Sequence, residues 1–232
     1  MAAVSLDGLR LLELDRDLFR NIVSLRRTQD LFDDLSADPA DWDAAIALEM
    51  AFKPATHRSA QPIIDRPFEE AEFIAAVQFP FDYWSRSRFS RGQFGVWYGS
   101  DSLRTTVHET VHHWRAGFLA DTGLADYDGV TIERHVYLTH CRGAVIDLVS
   151  KQPEWPELRA DDHAFCQELG ERLQHEGHPG VWTPSARCTG TNAALFTPRL
   201  LSSPRSHCYL TYRMEQGKVT VRRNLKSVLI TL

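Results

Sequence analysis

One stretch, from Arg88 to Trp114, constrains the fold more than any other part of the chain. Gly92 and Gly95 flank a turn, and Val96-Trp97-Tyr98 has the β-branched and aromatic composition of a strand. A short polar loop then leads into a predicted helix that carries Glu109 and three histidines. The fold must therefore accommodate a strand–loop–helix unit that bears a carboxylate, and this unit is the predicted functional centre.

Composition sets the broad class of protein. The chain has 232 residues, enough for one large domain or two small ones with an ample core. Its net charge of -5 leaves no electrostatic footprint for nucleic acid or an anionic membrane. Acidic residues interrupt the apolar positions of the N-terminus, so neither a signal peptide nor a transit peptide is predicted. No apolar run is long enough to span a membrane, and a cytoplasmic protein is the prediction.

The cysteines are expected to be structural. They are spaced too widely for a zinc ribbon, and nothing marks the chain as secreted, so reduced thiols are predicted. Free cysteine is usually buried, and we expect burial for each of Cys141, Cys166, Cys188 and Cys208.

Two helices are predicted at the N-terminus. From residue 5 to about residue 35 leucines and isoleucine recur at helical spacing, with Arg and Asp between them. A second helix is predicted to begin near Ser36 or Asp38 and to end at Lys53-Pro54. We interpret residues 1–53 as an N-terminal helical extension with a packing role, and residues 54–232 as the domain that carries the chemistry.

The remainder of the chain mixes both kinds of element. One short helix is predicted at residues 69–77, then an aromatic loop at residues 79–84 and an amphipathic helix at residues 160–176. Strands are predicted at residues 130–137 and 143–148 and, separated by short turns, through residues 180–232. The prediction is a single α+β domain with the helical extension.

One motif suggests a metal enzyme. His108-Glu109-Thr110-Val111-His112 matches the zincin pattern, in which residues i and i+4 share a helix face and could bind one zinc while the Glu activates its water. A catalytic zinc needs a third protein ligand, and no further histidine follows at the required spacing. A distant carboxylate such as Glu133 could serve, although nothing in the sequence marks it. A zinc-dependent hydrolase is the alternative enzyme.

A second set of motifs covers more of the chain. Arg88 precedes the Gly95–Tyr98 strand, Ser102-Leu103-x-Thr105 leads to Glu109, and a Gly- and Pro-framed turn brings Ser185 and Arg187 before an apolar strand. This order resembles the RES-domain family, named for its Arg, Glu and Ser, over about residues 54–215. The chain departs from the family pattern at Val107-His108 and at RFSRGQFGVW, where the family has Arg-Trp-Asn. Either Arg88 or Arg91 is therefore the family's first arginine, and we favour Arg88 for its distance to Tyr98.

The resemblance implies both a fold and an activity. The fold would be like that of ADP-ribosyltransferases and diphtheria-type toxins. The activity would be attack on NAD by glycohydrolysis, by phosphorolysis or by ADP-ribosyl transfer to a protein. Members are commonly toxins of toxin–antitoxin pairs that an Xre-like antitoxin neutralises. A RES-like module that only binds a partner protein is the non-enzymatic alternative.

The residues suit NAD chemistry. A guanidinium at Arg88 could clamp the two phosphates, and Glu109 could stabilise the oxocarbenium-like transition state while holding a ribose hydroxyl. Tyr98 offers a flat ring to nicotinamide, and Ser185 could hydrogen-bond ribose or phosphate. The predicted NAD-binding residues are Arg58, Arg88, Tyr98, Ser185 and Arg187.

NAD is then a substrate and not a recycled cofactor. The sequence agrees with this, because it lacks the G-x-G-x-x-G turn of dinucleotide-binding domains. No metal is expected. Edge strands and the N-terminal helices are compatible with a homodimer.

Overall fold

A long antiparallel pairing joins two strands that are far apart in the sequence. In the computed structural model, which describes residues 6–24 and 73–232, β1 (Arg10–Val23) pairs with β3 (Thr131–Asp147) over its whole length. The register runs from Arg10 opposite Asp147 to Val23 opposite Arg134. Both strands belong to one eight-stranded sheet.

The predicted helix from residue 5 to about 35 is therefore wrong over residues 10–23. Leu14, Leu18 and Ile22 are four residues apart, a spacing that fits one face of a helix and equally one face of a strand. Leu14 and Leu18 are buried, and Ile22 packs against the same core. Pairing with β3 along the full length of β1 decides for the strand.

Two arginines in β1 interrupt the alternation of apolar and polar residues that is typical of a strand. Arg16 and Arg20 lie on the same face of β1 as the leucines, where a sequence reader expects apolar residues. The Arg16 guanidinium lies 5.7 Å from the ring centroid of Trp182, and that of Arg20 lies 5.6 Å from Trp97. Stacking on aromatic rings accounts for charged side chains on the inner face of the strand.

The second predicted helix and the predicted boundary between residues 53 and 54 lie outside the described residues, as does Arg58. Residues 10–23 belong to the same sheet as the following strands.

The remaining strands form two arms from one edge of β3. The first arm consists of β4 (Gly180–Pro184), β5 (Thr191–Leu195) and β2 (Trp97–Ser100), and β2 pairs back to β1 at Phe19 and Ser100. The second arm consists of β6 (Leu201–Glu215), β7 (Lys218–Arg223) and β8 (Ser227–Thr231). β4 runs parallel to β3, whereas the other paired strands are antiparallel.

One strand replaces two predicted ones. Strands were expected at residues 130–137 and 143–148, and the structure joins them into β3 because β1 supplies partners through the polar residues between them. Gly143 has a φ of 143° within this strand and lies opposite Leu14.

Three α-helices accompany the sheet in the described part of the chain. They are α1 (Phe79–Asp82), α2 (Leu103–His113) and α3 (Ala164–His175). Turns of π-helix lie at Ile74–Gln78 and Trp114–Leu119, and 3₁₀ turns at Pro156–Arg159 and Pro198–Leu200. The aromatic loop predicted at residues 79–84 is wrong over α1, because Pro80 is in the first turn, where its missing N–H costs no hydrogen bond. None of the described helices is long and apolar enough to cross a bilayer.

Each helix packs on its own part of the sheet. The π-helical turn before α1 packs on β1 and β2. Trp97 of β2 is fully buried beside Leu14 of β1, and its Nε1 donates to the carbonyl oxygen of Ala76 in that turn at 2.7 Å. Leu169 of α3 packs among the residues of β4 and β5. Val111 of α2 packs among those of β6 and β7. As predicted, the buried residues include Cys141, Cys166 and Cys208, whereas Cys188 is half-buried.

Gly170 brings α3 into direct contact with the segment that carries Arg88. A Cβ atom at Gly170 would overlap the carbonyl oxygen of Phe89. Gly170→Ala is therefore expected to lower the free energy of unfolding by about 1–3 kcal/mol, although alanine gains about 1 kcal/mol in an open helix. Urea unfolding measures the effect.

The matched control for Gly170→Ala is Gly117→Ala. A Cβ atom at Gly117 would meet nothing within 4 Å, so this variant should be at least as stable as the wild type. Equal stability of both variants would contradict the close packing of α3.

Candidate active site

A cavity of about 590 Å³ opens between α2, β2 and the segment from Ser85 to Phe89. The first arm of the sheet pairs with β1 through β2, and residues of both strands line the cavity. Its wall includes Arg20, Arg88, Tyr98, Glu109, His113 and Asn192. The cavity thus brings together three of the predicted site residues with others that the sequence did not indicate.

The Glu109 carboxylate is fixed through one of its oxygens. Oε1 accepts hydrogen bonds from the Ser185 hydroxyl at 2.6 Å, from the Asn192 amide nitrogen at 3.0 Å and from the Ala186 backbone N–H at 3.2 Å. Oε2 takes part in none of these bonds. Glu109 therefore has one oxygen anchored in the protein and a second one for a ligand in the cavity.

Ser185 lies behind Glu109 and is completely buried. Its Oγ also accepts from the backbone N–H groups of Arg187 at 3.1 Å and Cys188 at 3.2 Å. These bonds fix the turn after β4, and Ser185 is not among the residues of the cavity wall. In the structure Ser185 contacts Glu109 and does not line the cavity, and its predicted contact with ribose or phosphate stays a prediction.

Asn192 is a residue that sequence reasoning missed. The Ser100 hydroxyl donates to its Oδ1 at 2.6 Å, so that its amide nitrogen is the group that faces Glu109. Asn192 and Ser100 lie opposite each other on β5 and β2. Only its place shortly after the Ser185–Arg187 turn could have indicated it.

The N-terminus of α2 is tied to β5. Ser102 caps the helix, accepting from the Thr105 N–H at 3.1 Å. Asp101 accepts from the Thr105 hydroxyl at 2.6 Å and from the backbone N–H and hydroxyl of Thr191 at 2.9 and 2.8 Å. These bonds place Glu109, two turns along the helix, opposite the turn that contains Ser185.

A second network ties the middle of α2 to β1 and β6. Asn21 donates to Thr110 at 3.1 Å and to Tyr212 at 2.9 Å, and it accepts from Nε of Arg134 at 2.7 Å. Removal of any one member would leave buried polar groups without partners. The helix that carries Glu109 is thus anchored at two levels.

Arg88 reaches the cavity and Arg91 does not. Nη1 of Arg88 donates to the carbonyl oxygen of Ala160 at 2.7 Å, and the side chain is part of the cavity wall. Arg91 forms an ion pair with Glu171 on the surface. Of the two arginines that the sequence left open, Arg88 is the one that shares a cavity wall with Glu109.

Arg20 adds a second guanidinium that the sequence analysis missed. Its Nη1 donates to the carbonyl oxygen of Tyr98 at 2.9 Å, and its buried Nε has no hydrogen-bond partner among the described residues. Burial, followed by the charge of Arg134, lowers the pKa of Arg20 to about 10. The group therefore remains charged at neutral pH and is available to an anionic ligand.

Tyr98 presents its ring to the cavity and anchors its hydroxyl elsewhere. The hydroxyl donates to Ser87 at 3.0 Å and accepts from the Phe89 N–H at 3.2 Å. Burial raises the pKa of Tyr98 to about 12, so the phenol stays protonated at neutral pH. The predicted flat ring is present in the wall.

Arg187 lies outside this cavity. It pairs with Asp161 at 2.6 Å and lines a separate cavity of about 520 Å³ together with His108 and His112. The two histidines of the zincin pattern thus face one cavity, whereas Glu109 faces the other. Within residues 6–24 and 73–232, no group of three His, Cys, Asp or Glu side chains is arranged to hold a metal. Glu133, the suggested third ligand, accepts from the Thr211 hydroxyl at 3.0 Å.

His113 makes the folding stability of the protein dependent on pH. Burial lowers the pKa of His113 below its ordinary value of 6.5, against the opposing effect of Glu109. Below pH 6.5 the unfolded chain binds a proton at this position more readily than the folded one, so folding stability falls as the pH is lowered. The loss of thermal stability between pH 7 and pH 5 should be smaller in His113→Asn than in the wild type.

His175→Asn, a change at an exposed histidine at the end of α3, is the control for His113→Asn. The loss of thermal stability between pH 7 and pH 5 should be the same in this variant as in the wild type. An equal loss in the wild type and in His113→Asn would contradict a contribution from His113.

Comparisons with known proteins agree with the resemblance drawn from the motifs. The family model described as the RES domain matches residues 71–215. No curated protein gives a significant match. Among solved structures, the crystal structure of the M. tuberculosis MbcT–MbcA toxin–antitoxin complex is similar, with a TM-score of 0.44 and 14% identity over 85% of this chain and 86% of that one. The family match spans more than half of the chain, and the protein therefore belongs to the RES-domain family.

Proposed function

We propose that this protein cleaves the bond between nicotinamide and ribose in NAD. The observation that carries the proposal is the carboxylate of Glu109, which is held by three donors at Oε1 in the wall of a cavity that also contains three arginines. Membership of the RES family supports it further. The family resemblance alone suggested NAD, and the arrangement of charges in the cavity agrees with this substrate.

The reaction needs a negative charge near the ribose. When the C–N bond breaks, its electron pair leaves with nicotinamide, and positive charge develops on the ribose ring. A carboxylate that is already oriented stabilises this charge without reorganisation. Oε2 of Glu109 would face the ribose, and an acceptor oxygen would then form the new bond to the ribose carbon.

Two of these guanidinium groups, those of Arg88 and Arg20, suit the diphosphate. Arg88 and Arg20 come from different elements of the structure and reach the same cavity wall. A guanidinium binds phosphate oxygens through paired N–H groups, and a partly buried site strengthens the attraction. Tyr98, which is part of the same wall, would contact the nicotinamide or its ribose.

The direct test is nicotinamide release from NAD by the purified protein, followed by HPLC. The reaction is run with and without inorganic phosphate, because phosphorolysis yields ADP-ribose 1″-phosphate and hydrolysis yields ADP-ribose. Formation of ADP-ribose without added phosphate and without metal supports glycohydrolysis. Turnover that a chelator abolishes and zinc restores would favour the hydrolase with His108 and His112.

We propose further that this activity makes the chain the toxin of a toxin–antitoxin pair, acting in the cytoplasm and neutralised by an Xre-like antitoxin. The family resemblance supports this role. Expression in bacteria should arrest growth and deplete cellular NAD, and co-expression of the antitoxin should restore both. A protein that leaves growth and NAD unchanged and shows no turnover in vitro would be a binding module with a RES fold.

A further inference from the structure

Two aromatic rings at the cavity have no described role. Phe79 and Tyr83 form part of its wall, and their rings are packed together with centroids 4.8 Å apart and an angle of 31° between the planes. Phe79 is 52% exposed and Tyr83 49% exposed. Large apolar side chains that stay in solvent beside a cavity are typical of a ligand site. We call this pair the aromatic lip.

The aromatic lip is held by a rigid support. Both residues belong to the turn formed by α1, whose end is closed by the hydrogen bond from the Tyr83 N–H to the Phe79 carbonyl oxygen at 3.0 Å. The turn lies directly on Gly95, where a Cβ atom would overlap the Pro80 carbonyl oxygen. Close backbone packing thus fixes the lip relative to the strand that leads to Tyr98.

The cavity wall that contains the lip also contains charged groups. The segment after Tyr83 adds Arg86 and then Arg88 to the cavity wall, and Glu109 is part of the same wall. The wall thus combines an aromatic pair, arginines and a carboxylate. NAD has a matching group for each of them, namely adenine, the diphosphate and the ribose–nicotinamide bond.

We infer that the aromatic lip stacks the adenine base of NAD. The inference rests on the proposed function, because it takes Glu109 as the position of the nicotinamide–ribose bond. Stacking uses the face of the base and makes no demand on its hydrogen-bonding edge. The lip therefore selects for a dinucleotide with a planar base over a mononucleotide, and it discriminates little between purines.

The test compares NAD with nicotinamide mononucleotide, which has the same scissile bond and lacks the adenosine half. In the double variant Phe79→Ala/Tyr83→Ala, the ratio of kcat/KM for NAD to kcat/KM for the mononucleotide should fall by about 10- to 100-fold, mainly through KM. The conservative variant Tyr83→Phe keeps the ring and should keep the wild-type ratio. An unchanged ratio in the double variant would overturn the inference.

Trp84→Ala is the matched control. Trp84 is 59% exposed and adjacent to the lip, but it is not part of the cavity wall, and its Nε1 donates to the Phe81 carbonyl oxygen at 2.7 Å. This variant should have the wild-type ratio. If the ratio of kcat/KM values fell equally in Trp84→Ala, the aromatic residues of this turn would act only by supporting the fold. That result would also overturn the inference.

Binding of ADP-ribose separates the two proposals. Calorimetry with the wild type and the double variant needs no turnover. Weaker binding by about 10- to 100-fold in the variant supports the lip even if NAD is not cleaved, in which case only the proposed function fails. Equal affinity overturns the lip and leaves the proposed function standing if the wild type releases nicotinamide.

Discussion

Replacement of Glu109 by Gln is expected to lower kcat/KM for NAD cleavage by about 1000-fold in a protein that still folds. Glutamine keeps the shape of the side chain and a carbonyl oxygen at the position of Oε1. The donors from Ser185, Ala186 and Asn192 therefore retain their acceptor. What disappears is the negative charge that would stabilise the developing positive charge on ribose.

The measurement is the rate of nicotinamide release at several NAD concentrations, together with thermal unfolding of the same samples. His112→Ala is the matched variant on the same helix, because His112 faces the other cavity. It should keep its turnover. Retention of most of the activity in Glu109→Gln, or its loss in His112→Ala along with bound metal, would reject the assignment of the carboxylate.

The centre of the site could be predicted because its signals are local in sequence. Arg88, Tyr98 and Glu109 lie on a turn, a strand and a helix that follow one another, and the type of each element is indicated by its own residues. The structure places all three in one cavity wall. Their spacing within a single strand–loop–helix unit already limits how far apart they can lie.

The rest of the site depends on strand pairings that could not be predicted from the sequence. Arg20 reaches the cavity only because β1 lies between β2 and β3, and the sequence gives no register for strands so far apart. Asn192 contacts Glu109 because β5 pairs with β2. Ser185 was recognised as a site residue, but a turn motif cannot show whether a hydroxyl faces a ligand or a neighbouring carboxylate.

The fold class was predicted correctly as α+β, and the principal error has a specific cause. Leucines at 14 and 18 fit both periodicities, and the arginines at 16 and 20 removed the alternation that would have indicated a strand. The likeness to ADP-ribosyltransferases, the homodimer and the boundary near residue 54 stay predictions.

Ser185→Ala should have the second largest effect, on activity and stability together. The Ser185 hydroxyl donates to the Glu109 carboxylate at 2.6 Å and accepts two backbone N–H groups, so alanine leaves buried groups without partners. We expect a loss of about 1–3 kcal/mol in the free energy of unfolding and a fall in kcat of about 10- to 100-fold, because the carboxylate is less well oriented.

The double variant with Glu109→Gln separates these two effects. A hydrogen bond to a charged acceptor contributes about 1.5–3 kcal/mol and one to a neutral acceptor about 0.5–1.5 kcal/mol. Ser185→Ala should therefore cost less stability in the Glu109→Gln background than in the wild type, and urea unfolding of the four proteins gives the coupling energy. Additive losses would mean that Ser185 supports only its own turn, and the decrease in kcat would then need a different origin, such as a displaced β4–β5 connection.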